Sequence, residues 1–273
     1  MSYDETSRKL DNVDRGNKNR STAGTSTFVA ARLFEPGLQY ALLKNDLGRP
    51  VIELLRGWTL PPGPPLVTNT LLDRVGLSPY RTILFGMSVG AMLKQNYHMT
   101  TIQQENMPVA SGLIIGAFNM LLNTTNTLLF VCSQTSASTN GEHFPQSPLI
   151  VGTTLYVSGI LIEWLSEQQR HAFKKNPANK GKLYEGGLFS LSRHINYFGY
   201  TLWRTGYALA AGGWGWGATV GGFFAYMFAQ GPIPAQQHYL EERVSTQSRN
   251  HESLLTTTLV WSSNGALQEG HAL

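Results

Sequence analysis

The chain has little charge for its length. Asp, Glu, Lys and Arg together make up 14% of 273 residues, against roughly 25% in soluble domains. What charge there is gathers toward both ends and in one central connection, and between Glu105 and Glu142 there is none at all. A water-facing surface is not built from such an interval, so lipid is the better surrounding medium for it. The mean hydropathy of -0.15 does not oppose this, because the polar ends dilute the average. A single cysteine, Cys132, excludes an intramolecular disulfide and the multi-cysteine zinc patterns, and no metal is expected. As a small apolar side chain in a membrane helix it needs no further role. The net charge of +4 comes with no Lys/Arg run, which argues against nucleic acid as a partner. There is no internal repeat, P-loop or Ser/His/Asp constellation. Gly212, Gly213, Gly215 and Gly217 do not make a G-x-G-x-x-G pattern and follow no strand, which excludes a Rossmann reading.

Taken in order, residues 1–27 are rich in Ser, Thr, Asn, Asp, Lys and Arg and are expected to be disordered. They lack the apolar core of a secretory signal, and Asp4, Glu5, Asp11 and Asp14 argue against a transit peptide. Residues 28–108 read as an N-terminal helical and membrane region. Its helical fragments are interrupted at Pro36 with Gly37 and at Gly48 with Pro50, and a rigid link follows from Pro61 to Pro65. Thr82 to Leu93 is too short to span, with room to extend through Pro79 and Tyr97. Val109 to Cys132 is the clearest span. It places Asn119, Asn123 and Asn126 on one helix face, where amides either bond neighbouring helices or line a substrate pocket.

The stretch EWLSEQQRHAFKKNPANKGKLYEGGLFSLSRHINYFG, from Glu163 to Gly199, organises the rest. The helix entering it carries Gly152, Tyr156, Gly159, Glu163, Glu167, Arg170 and Lys174 on one face. A carboxylate at the level of Glu163 is costly in hydrocarbon unless it meets a partner or a watery cavity, so it marks a site. The helix leaving it aligns Arg193, Asn196, Tyr197, Tyr200, Arg204 and Tyr207, a stripe of guanidiniums and phenols suited to an anion. The preceding loop, Ser133 to Ser147, has no Lys or Arg, whereas Arg170, Lys174, Lys175, Lys180, Lys182 and Arg193 crowd the connection. This asymmetry orients the basic side toward the cytosol. Beyond it, Tyr200 to Ala229 is apolar but broken by glycines around Trp214 and Trp216, which predicts a helical hairpin with the Trp pair at a membrane interface. Gly213, Gly217 and Gly221 stand at the spacing of close helix contact.

The segment FKKNPANKGKLYEGGLFSLSRHINYFGY (Phe173 to Tyr200) resembles the C-terminal signature of the steroid 5-alpha-reductase superfamily, in which FK-x-x-P-x-N-x-G-K precedes GLW-x-x-SRHPNY-x-GE. The resemblance covers roughly residues 163–243. Isoprenylcysteine carboxyl methyltransferase is a more distant relative that shares RHP-x-Y-x-G but not the upstream Lys/Asn element. Ile195 stands here where the family has Pro, and Tyr200 where the reductases have Glu. From Val244 the tail, residues 244–273, lacks the expected Tyr-Gly and following Trp, and reads as an altered, disordered C-terminus.

The resemblance implies an all-α, polytopic integral membrane helix bundle of about five spans, with a C-terminal hairpin and a cytosol-facing cofactor pocket, its core at residues 109–243. By family habit it resides in the endoplasmic reticulum. It implies a reductase that uses NADPH on a carbon-carbon double bond of a sterol, steroid or other terpenoid-type lipid. Lys174, Asn179, Arg193, His194, Asn196 and Tyr197 are assigned to the cofactor, with Tyr239, Glu242 and Arg243 as further members. Glu163, Asn119 and Asn123 are assigned to the substrate pocket. Tyr197 or Tyr200 would donate the proton to carbon, unless they serve only in packing. The alternative is a membrane methyltransferase using S-adenosylmethionine. It would also use Arg193, His194 and Tyr197, with Glu241 and Glu242 loosely matching an acidic pair, but would leave Lys174 and Asn179 without a role. A third reading, a relative that has lost catalysis, is prompted by Ile195, Tyr200 and the tail.

Overall fold

The computed structural model describes residues 19–138, 144–180 and 182–234. Among them there is no strand, and Thr59 and Cys132 form an isolated antiparallel bridge. Helix α1 (Thr22–Lys44) leads into the short α2 (Arg49–Leu54), then α3 (Pro79–Tyr97), α4 (Val109–Val131), α5 (Ser147–Lys175) and α6 (Ile195–Gln230). Residues 11–227 form one unit; residues 1–10 and 228–273 form another, of which only residues 228–234 are described.

Helix α1 begins within the stretch expected to be disordered, because Ser21 caps it by accepting from Gly24 N at 3.0 Å. It also runs through Pro36, where a break was expected. Proline removes one backbone donor, but Arg32, Glu35 and Gln39 on either side are all buried against neighbouring helices and hold the segment in line. The break expected near Gly48 and Pro50 is present, between α1 and α2. The short apolar run around Thr82 extends from Pro79 to Tyr97 and closes in a π-helical turn, His98–Ile102.

Helices α4 and α5 are each long and apolar enough to cross a membrane. Beside an apolar core of residues such as Leu84, Met87, Phe130, Leu149 and Trp203, the bundle buries charged and amide side chains and exposes large apolar ones. Arg32, Glu35, Gln39, Lys94, Asn119, Asn123, Glu163 and Arg204 are buried, whereas Leu33, Phe34, Leu113, Ile114, Leu121 and Ile150 are exposed. Tyrosine hydroxyls tie helices together: Tyr156 donates to Met87 O at 2.6 Å and Tyr80 to Ala210 O at 2.7 Å.

Helix α6 turns back on itself at Gly213, whose φ of 76° lies in the region that only glycine adopts without strain. A methyl group on Gly217 would meet Leu209, one on Gly221 would meet Thr205, and the Tyr200 and Phe224 rings lie 5.2 Å apart. The first two pairs match residues equidistant from Gly213, which is the register of a hairpin. Trp214 is exposed near the bend, while Trp216 turns inward and donates to Asn126 Oδ1 at 2.6 Å, so the two do not act as an interfacial pair.

Candidate functional site

The site is built where α5, the signature loop and the first half of α6 meet. Helices α5 and α6 cross backbone against backbone at Gly159 and Gly199: a methyl on Gly199 would stand 2.7 Å from Glu163 N and 2.9 Å from Gly159 O. That closeness brings Glu163 to Trp203, whose Nε1 donates to Glu163 Oε2 at 2.6 Å. The other carboxylate oxygen of Glu163 is ion-paired with Lys94 of α3. One turn along α5, Glu167 lies 3.4 Å from Lys94 Nζ and 2.9 Å from His98 Nδ1. The carboxylate that the sequence marked as a site is therefore partnered on two sides, by Lys94 of α3 and Trp203 of α6.

The amides on α4 follow suit. Asn119 accepts from Gln95 Nε2 at 2.9 Å and from Arg204 Nη2. Asn123 accepts from Arg204 Nη1 at 2.9 Å and donates to Glu35 Oε1. Arg204 Nε donates to Tyr200 Oη at 3.0 Å, and its guanidinium lies 4.2 Å from the Trp203 ring. Asn119 and Asn123 thus meet at Arg204, and Arg204 lies over the Trp203 ring that donates to Glu163; Asn119 also donates to Ile115 O at 2.7 Å.

The signature loop sits at the end of α5. Gln169 Oε1 accepts from Leu188 N at 2.9 Å and pins the 3-10 turn Gly187–Ser190 to the helix. Gly187 has φ 55°, and any side chain there would strike Gln169. Asn179 Nδ2 donates to Phe173 O at 3.1 Å and closes the α5 C-terminus, where Lys174 is exposed. Ile195, in the place of the family's Pro, donates its N–H to Ser192 O at 3.3 Å, a bond proline would lack. Asn196 is buried. Arg193 is exposed beside His194, whose ring stacks on Tyr197 with centroids 5.9 Å apart. Partial burial, with Arg193 and Arg170 nearby, holds the His194 imidazole below its ordinary value, and neither of its ring nitrogens has a hydrogen-bond partner. Tyr239, Glu242 and Arg243 lie outside the described residues.

Against known families, residues 98–252, more than half of the chain, match the model described as "Protein of unknown function (DUF1295)". The chain belongs to that family. The chain is 36% identical over 265 residues to a protein of Ustilaginoidea virens named as a probable O-methyltransferase, ustE, covering 93% of each chain. No solved structure matches. This full-length similarity overturns the expectation of an NADPH-dependent oxidoreductase, since the relative is named a transferase. With the reductase goes the need for Tyr197 or Tyr200 to protonate carbon. Tyr200 Oη instead accepts from Arg204.

Several members of this DUF1295 site were not singled out from the sequence. Arg32, Glu35 and Gln39 recur at helical spacing on α1, a buried polar face visible only if the Pro36 break is ignored. Lys94, a lone cation at the end of an apolar run, was the available signal for the partner of Glu163. Trp203 and His98 carried no signal, because only the crossing of α6 over α5 and the turn after α3 bring them in.

Proposed function

We propose that this chain is a polytopic membrane O-methyltransferase that uses S-adenosylmethionine to methylate an oxygen on an apolar acceptor. Its site faces the cytosol from the endoplasmic reticulum membrane. The observation that carries the reading is the 36% identity, along 93% of both chains, to the relative named as a probable O-methyltransferase. The burial of charged side chains beside exposed large apolar ones supports a lipid surround, as do α4 and α5. The Lys/Arg-rich connection supports the orientation.

The residues of the signature loop suit the amino-acid end of the donor. Arg193 and Lys174 are exposed cations for a carboxylate, and His194 offers ring nitrogens with no partner. The stacked His194–Tyr197 pair offers an aromatic face at the head of α6. When bound, S-adenosylmethionine supplies an electrophilic methyl on a sulfonium. This chain's residues then have three tasks: to hold the donor, to present the acceptor oxygen in line, and to keep water out. The buried network around Glu163, Trp203 and Arg204 serves the last two from the interior side. Methyl transfer to oxygen needs no proton delivered to carbon, so the tyrosines of α6 act in binding and packing.

Thermal-shift measurements on detergent-purified protein test this. S-adenosylmethionine at about 100 times its Kd is expected to stabilise by about 2.7 kcal/mol, NADPH not at all, and Arg193→Ala to weaken the donor about ten-fold or more. Stabilisation by neither ligand would end the methyltransferase reading.

A further inference from the structure

Arg32 and Glu35 on α1 are both fully buried. Arg32 Nη1 is ion-paired with Glu35 Oε2, while Arg32 Nε and Nη2 have no hydrogen-bond partner. Arg204, itself buried, is joined to this pair through Asn123, which donates to Glu35 Oε1 and accepts from Arg204 Nη1 at 2.9 Å. The N–H groups of Arg204 go to Asn119, Asn123 and Tyr200, none of which carries charge. Asn123 thus stands between the Arg204 guanidinium and a carboxylate that is ion-paired with Arg32. The bundle's other buried acids, Glu163 and Glu167, are engaged by Lys94, His98 and Trp203. Among the described residues four buried bases, Arg32, Arg81, Lys94 and Arg204, meet three buried acids, Glu35, Glu163 and Glu167; Arg81 gives its N–H groups to the backbone carbonyls of Leu43, Leu60 and Pro61, and the rest are unevenly placed. The Lys94 end has the surplus acid and the Arg32 end the surplus cation.

A buried guanidinium cannot shed its proton, and leaving one uncompensated in a dry interior is costly. Aromatic faces offset part of that for Arg204, with the Tyr200, Trp203 and Phe224 rings at 5.2, 4.2 and 5.8 Å. No such ring contact with Arg32 is described.

We propose that Arg32 and Arg204 form a buried oxyanion site that takes the ionised oxygen, carboxylate or phenolate, of an apolar acceptor molecule. The two unused N–H groups of Arg32 bind the oxygen, Arg204 adds field, and the tyrosines and Trp203 border the acceptor's body. This rests on the methyltransferase reading above and deepens it by naming the acceptor's chemistry. The acceptor's proton leaves to water before binding. An oxygen lone pair then forms the new O–CH3 bond as the donor's S–CH3 bond breaks with its electron pair remaining on sulfur, so charge and atoms balance with no further reactant. Arg32 lies outside the family-matched residues 98–252, so acceptor recognition is placed on a helix separate from the signature loop.

The test is equilibrium binding, without methyl donor, of three probes to the full chain in detergent: 7-hydroxycoumarin, coumarin-3-carboxylate and neutral 7-methoxycoumarin. The expected result is that at least one anionic probe binds, 7-hydroxycoumarin showing its phenolate spectrum, and the ether binds about ten-fold more weakly or worse. Which anionic probe wins distinguishes phenolate from carboxylate. Arg32→Gln should weaken the anion by a similar factor and Arg32→Lys should restore part of it. Glu35→Gln, which removes the competing carboxylate but keeps an acceptor for Asn123, should tighten it. Arg49→Gln, an exposed charge control, should leave it unchanged. Equal binding of ether and anion, or unchanged or weaker binding in Glu35→Gln, overturns the proposal, and the latter reading holds even if Arg32→Gln does not fold. So does failure of both anionic probes to bind protein that still binds S-adenosylmethionine. Anion binding that depends on Arg32 in protein that fails to bind S-adenosylmethionine supports the site while sinking the methyltransferase reading.

Discussion

At the scale of single residues, Lys94 decides how two carboxylates coexist inside the bundle. Its ammonium meets both Glu163 and Glu167, so Lys94→Met would leave two acids close together with only His98 to share. A loss of about 3–5 kcal/mol in unfolding free energy is expected, measured by thermal or denaturant melts in detergent, and Lys94→Met with Glu163→Gln should recover part of it. His194 is a different case, set in a loop. Burial and two arginines favour its neutral form in the folded protein. The unfolded chain therefore takes up the proton first as pH falls through the ordinary imidazole range, and stability is lost in that direction. Melts from about pH 8 to about pH 5 should show a shallower decline for His194→Gln than for the parent chain. An unchanged decline would mean that His194 is not held neutral.

At the scale of elements, glycine placement controls how near α5 and α6 come. Gly159→Ala would push a methyl into the backbone of α6 at Gly199 O, 2.7 Å away, and an overpacking cost of about 1–3 kcal/mol is expected. Gly222, on the second half of α6, has nothing within 4 Å of an added methyl, so Gly222→Ala should instead gain up to about 1 kcal/mol from helix propensity. Paired melts of the two variants check both, and opposite signs are the expected outcome. The hairpin bend at Gly213 belongs here as well. Its break was legible from the glycine cluster, but the inward turn of Trp216 to Asn126 was not, since it depends on how α6 lies against α4.

At the scale of the whole molecule, the described helices bury a set of charged side chains between them, Arg32, Glu35, Lys94, Glu163 and Arg204 among these, and leave large apolar side chains such as Leu33, Leu113 and Leu121 exposed. A protein of that kind should remain in the membrane fraction after an alkaline carbonate wash and be released only by detergent. Release by the wash would count against the bundle as a membrane-spanning structure. The same pattern explains what the sequence could and could not tell about the site. The charge-free interval, the long apolar helices and the Lys/Arg asymmetry are properties of composition along the chain, and they led directly to a helical, lipid-facing fold. The motif around Arg193 pointed to a reductase, because RHxxYxG-type signatures are shared by relatives with different chemistry. The similarity along the full chain to a named O-methyltransferase decided otherwise.

By itself, then, the sequence determined the helices, the hairpin and the location of the basic loop, since each follows from periodicity, glycine and proline, and the cost of charge in lipid. Tertiary structure alone decided that Glu163 answers to Lys94 and Trp203 and that Asn119 and Asn123 answer to Arg204. Those pairings join residues 40 or more positions apart, and such charges are assigned to one another by the crossing of helices, which no local spacing encodes.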